Sequence, residues 1–112
     1  GKRESARSRK RMNEISLERS SRALRLMVED LRNQISSLGQ EIEVNRQLVK
    51  VAGNRYEKSI LEFQQNRITP TLHFESRLTL DQSKLDLAKA VSQYLKVRDL
   101  YDERTTFKNK LN

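Results

Sequence analysis

Gln65-Asn66-Arg67-Ile68-Thr69-Pro70 is the stretch that decides the fold. Asn tolerates the left-handed backbone that often ends a helix. Thr is a good N-cap, and Pro is favoured at the first position of a helix. One helix therefore stops near Gln65 and a second starts at Pro70. So short a connection makes the two helices antiparallel neighbours.

Upstream of this break the apolar residues keep one phase. Leu17, Leu24, Val28, Leu31, Ile35, Leu38, Ile42, Val49, Ala52, Tyr56 and Phe63 fall on a single stripe of alternating three- and four-residue steps. Sustained spacing of this kind keeps one seam of a helix turned toward a partner. Ser21, Asn45 and Ser59 interrupt it. Asn45 and Ser59 either fix register, at a cost in stability, or mark a shallow, wet part of the seam. Gly39 is a candidate break, but Ile35, Leu38 and Ile42 cross it without a phase shift, so the helix is read through it. Gly53, beside Ala52, makes a small-residue patch that another helix could approach closely.

Downstream, Leu80, Leu87, Ala90, Tyr94, Val97 and Tyr101 form one stripe, with Ser76 and Ser83 in phase. Phe74, Leu78, Leu85, Ala88 and Leu95 form a second stripe beside it. Two stripes imply two neighbours. The pattern predicts an all-α, coiled-coil-type helical hairpin. Its helices cover about residues 4–65 and 70–108, with the turn at 66–69. At 1.5 Å per residue the arms are roughly 90 Å and 60 Å long. Such unequal arms point to a fragment, or to an assembly in which other chains cover the overhang.

Composition narrows the function. The chain has 112 residues, 35% hydrophobic and 34% charged, with no Cys and one His. This balance suits a long amphipathic helix better than a globule with a thick core. Without Cys there is no thiolate nucleophile or ligand. With His73 alone, neither a His-based metal site nor a Ser-His triad can be assembled in one chain. There is no glycine-rich phosphate loop, and Glu29-Asp30 points two ways on a helix. Glu14 and Glu18 with Arg22 read as ordinary surface pairing. His73 reads as an exposed imidazole at a helix start, the alternative being a pH sensor or partner contact. No catalytic, cofactor or metal site is expected, and the chain is read as not an enzyme. No secretory signal opens the sequence, and no apolar run is long enough to span a bilayer.

The net charge of +8 is uneven. Residues 1–25 hold nine Lys or Arg against Glu4, Glu14 and Glu18. This basic end is either a contact for nucleic acid or an anionic membrane, or a solvated helix end. No aromatic residues interleave with it, which argues against single-strand binding.

From Tyr56 onward the sequence resembles the outer-membrane efflux protein (TolC-like) family. Hairpins of that family turn through a pattern similar to Phe-x-x-Gly-x-x-Ser/Thr. Leu, small, Leu, Ala and Tyr residues then follow at heptad-like intervals. The matching run is Phe63-Gln64-Gln65-Asn66-Arg67-Ile68-Thr69-Pro70, continuing through Glu75, Leu80, Ser83, Leu87, Ala90, Tyr94, Val97 and Arg98 to Leu100. Gly1-Lys2-Arg3 with Ala6 is similar to the segment that follows a barrel strand in such proteins. Two departures stand out: Asn66 replaces the usual turn Gly, and Leu72 stands where members often carry an acidic residue, with Glu75 nearby. The resemblance implies a trimeric α-barrel in the periplasm, forming a passive conduit as part of an outer-membrane protein. The barrel strands and the other repeat are absent from this sequence. It also implies that the tip (Phe63, Asn66, Arg67, Ile68, Thr69, Pro70 and Glu75) docks to a periplasmic adaptor and an inner-membrane pump. No nucleic-acid partner is then expected. The alternative reading is a stand-alone cytosolic coiled-coil scaffold, or a hairpin that binds nucleic acid through its basic end.

Overall fold

A computed structural model describes residues 1–111. It contains two helices, α1 (Lys2–Gln64) and α2 (Pro70–Leu111). They pack along one another as an extended hairpin measuring 95 × 21 × 14 Å. No strand occurs among the described residues. The helices reach slightly beyond the sequence-based limits, to Lys2 at one end and Leu111 at the other.

The seam explains why they pair. Val28, Leu31 and Ala52 of α1 are buried with Ala90 and Val97 of α2. Ile35, Leu38, Ile42, Val49, Leu80 and Leu87 are half-buried beside them. Among the described residues no large side chain is fully enclosed, as expected for a ribbon only two helices wide. Each buried aliphatic side chain contributes on the order of 1.5–3 kcal/mol at most. The seam is thus a thin zipper rather than a core.

The register is set by contacts near both ends. A Cβ added at Gly53 would stand 3.9 Å from Leu80, while the Ser59 and Ser76 hydroxyls meet nearer the turn. Toward the open end, Arg32 lies against Tyr101, and Phe107 lines an open apolar groove with Leu24 and Met27. α1 runs straight through Gly39, around which there is open space. Gly53 has room for a methyl group, so close helix approach does not require a glycine there.

Below the end of α2, α1 continues unpaired. Every residue from Gly1 to Ala23 is exposed, including Met12 at 70% and Leu17 at 71%. The expected pairing of Glu14 and Glu18 with Arg22 is not formed. The only ion pair in this segment among the described residues joins the Gly1 amine to Glu4. Free side-chain entropy offsets the small gain from an exposed pair.

Candidate interaction site at the hairpin tip

The turn is built by backbone chemistry. Asn66 has φ 58°, the left-handed conformation that Asn adopts at lower cost than most residues. This lets the Arg67 amide donate to the Glu62 carbonyl (2.8 Å) and the Asn66 amide to the Phe63 carbonyl (3.0 Å). Together they make a Schellman closure, satisfying carbonyls that the end of α1 would leave bare. At the start of α2, Thr69 Oγ1 accepts from the Leu72 amide (3.2 Å), and the Thr69 carbonyl accepts from the His73 amide (3.1 Å). Thr69 is therefore the N-cap, and Pro70 occupies the first turn, where its missing N–H costs nothing.

The tip residues expected from the sequence divide by role. Asn66 and Thr69 shape the turn. Arg67 and Pro70 are exposed at its apex, and Ile68 is half-buried beneath them. Glu75 is exposed on the outer side of α2, where its carbonyl accepts from the Thr79 hydroxyl. Phe63 closes the seam. Leu72 and Phe74, at 52% and 59% exposed, add apolar surface next to the apex.

One feature corrects the sequence reading. His73 is half-buried, not a free imidazole. Its ring stacks on Phe63, with centroids 4.9 Å apart and planes 7° apart, and on Tyr56 at 5.7 Å and 16°. Tyr56 and Phe63 are seven residues apart on α1, roughly 10 Å along its axis, so the imidazole sits between them. Beneath it Ser59 is buried. The Ser59 hydroxyl donates to the Tyr56 carbonyl (2.7 Å) and lies 3.1 Å from His73 Nδ1 and 2.7 Å from Ser76 Oγ. The Ser76 hydroxyl donates to the His73 carbonyl (2.7 Å). With both hydroxyl protons given to the Tyr56 and His73 carbonyls, Ser59 is left to accept, which fits an imidazole that donates from Nδ1; the 2.7 Å approach of Ser59 to Ser76 then has no proton of its own. The signal was present in the sequence, because His73 stands one seam step before Ser76. Ser59 is therefore a fully engaged polar seam residue, whereas Asn45 lies half-buried beside a shallow polar groove with Glu41, Asp86 and Lys89.

Beyond the seam, each helix keeps an exposed apolar stripe. On α2 it comprises Phe74, Leu78, Leu85 and Leu95; on α1, Val44, Leu48 and Val51. At about 100° per residue, the α2 stripe lies on the back of that helix and the α1 stripe on one flank. A back and a flank differ by roughly 100–120° around the rod, so the two stripes lie on different faces and do not merge.

Among the described residues no group of three or more His, Asp or Glu is placed to hold a metal ion. No helix of the described residues is long and apolar enough to cross a membrane. No protein-family model, curated protein or solved structure matches the chain.

Proposed function

We propose that this chain is the periplasmic hairpin of an outer-membrane efflux-type channel, a wall segment of a trimeric tunnel that docks to an adaptor through its tip. The observation that carries the reading is the pair of exposed apolar stripes on different faces of the hairpin. Contiguous apolar surface of this kind marks an interaction site. Two different apolar faces are what a stave needs, because a head-to-tail interface between them closes into a ring when its rotation allows. The turn pattern, with its resemblance to the family, supports the same reading.

The function is passive. The assembled helices form a conduit, and no residue of this chain performs chemistry. The tip presents Arg67, Pro70, Leu72 and Phe74 beyond the seam, a cation beside apolar surface that a partner can cover. In the intact channel, Arg67→Glu is expected to impair efflux and adaptor cross-linking while leaving assembly unchanged. Lys50→Glu, an exposed charge reversal far up α1, is the control. Unchanged efflux and cross-linking in Arg67→Glu would remove the tip as docking site.

A further inference from the structure

The stretch of α1 beyond the end of α2 has no place in docking at the tip. All nine Lys and Arg side chains between Lys2 and Arg25 are exposed. Among the described residues none of the nine is in an ion pair. Six of them lie between Lys2 and Arg11, within about 15 Å of the end of the rod. At about 100° per residue they spread over roughly 200° of the circumference, with Glu4, Ser5, Ser8 and Met12 on the remaining arc. The rest of the chain, residues 26–112, has fourteen basic against twelve acidic residues, so the positive field is concentrated at one end of a 95 Å rod.

We propose that this basic end is an electrostatic contact for anionic phospholipid headgroups. The inference rests on the channel reading, which puts this end away from the docking tip and toward the membrane. A basic face that covers about half the circumference lets this end lie against an anionic plane. Each Lys or Arg near such a surface adds attraction that fades within a Debye length of about 8–10 Å. The contact is peripheral. Met12, Ile15 and Leu17 are exposed but do not form one apolar face, so no insertion accompanies it. Nucleic acid fits less well. Among the described residues Phe107 is the one aromatic side chain lining the base of this segment, and none lies within it, so there is no platform on which bases stack.

The test is co-sedimentation of the full chain with vesicles of neutral phosphatidylcholine, or of the same lipid with one third phosphatidylglycerol. Binding is expected only to the anionic vesicles, and it weakens as salt is raised. Replacing Arg7, Arg9, Lys10 and Arg11 together by Gln is expected to weaken it about a hundredfold or more, with helicity unchanged, because all four are exposed and Gln is a good helix former. Three results overturn the proposal: no binding to anionic vesicles at low salt, equal binding by the quadruple variant, or duplex or single-stranded nucleic acid displacing the vesicles at physiological salt. The channel reading is tested separately at the opposite end. Normal docking with no vesicle binding removes only this inference, and vesicle binding with no effect of Arg67→Glu removes only tip docking.

Discussion

The His73 imidazole lies flat against the Phe63 ring, 4.9 Å between centroids and 7° between planes, joining the start of α2 to the last turn of α1. Tyr56 covers its other side, and Ser59 holds Nδ1. Elsewhere the seam is mostly aliphatic, with Asn45, Ser83, Tyr94 and Tyr101 as its polar members, but next to the turn it is held by stacking and hydrogen bonds. His73→Ala is expected to cost about 1–3 kcal/mol in urea unfolding, the sum of lost stacking and one lost hydrogen bond. A double-mutant cycle with Phe63→Ala is expected to show a coupling of about 1 kcal/mol. Additive effects would mean the stack contributes nothing to stability.

The turn depends on backbone conformation more than on side-chain contact. With φ at 58°, Asn66→Gly is expected to be neutral or slightly stabilising, and Asn66→Val to cost about 1–2 kcal/mol. Thr69→Ala removes the cap on the Leu72 amide and is expected to cost about 1 kcal/mol. Equal stability of the Gly and Val variants would contradict this account of the turn.

Both mid-helix glycines leave room for a side chain. Gly39 faces open space, and a Cβ at Gly53 would make an ordinary contact with Leu80. Gly39→Ala and Gly53→Ala are each expected to raise stability by about 0.5–1 kcal/mol, because Ala loses less backbone entropy in a helix. A loss at Gly39 would show that the break in propensity serves a purpose in the assembled state.

At the open end, hydrogen bonding and charge from Arg32 pull the Tyr101 phenol below its ordinary value, and Arg32 is raised in turn. A depressed acidic group stabilises the fold above its unfolded value, here about 10, and the gain is lost as pH falls through the folded value. At neutral pH this contribution is absent. The stability difference between the native chain and Tyr101→Phe is therefore expected to widen as pH rises toward about 10, and to shrink in high salt because Arg32 is exposed. A difference independent of pH would show that the two groups are not coupled.

The helical class was legible because the seam keeps its phase from Leu17 to Phe63 and resumes after Pro70. Asn66 and Thr69-Pro70 carried the chemistry of a turn in their side chains. The stack at the tip was harder to read. His73 sits in phase with Ser76, yet a single polar aromatic residue beside a proline turn resembles an exposed helix start. Only the register, which brings His73 between Tyr56 and Phe63, makes it a seam residue. The second stripe of α2 was visible as periodicity, but periodicity does not say which neighbour covers it.

The most direct test of the wall-segment reading joins the two exposed stripes. Leu48 lies five residues from Gly53 and Leu85 five from Leu80, both away from the turn, so they occupy one level of the rod on different faces. A closed ring has no axial shift between copies, so Leu48 of one hairpin meets Leu85 of the next. The chain has no cysteine, so Leu48→Cys with Leu85→Cys reports this contact without background from its own thiols. Mild oxidation of the double variant of this chain alone, where the next hairpin is another copy, is expected to give a ladder that ends at three chains. Products that stop at two chains, continue without limit, or do not form at all would contradict the trimeric tunnel.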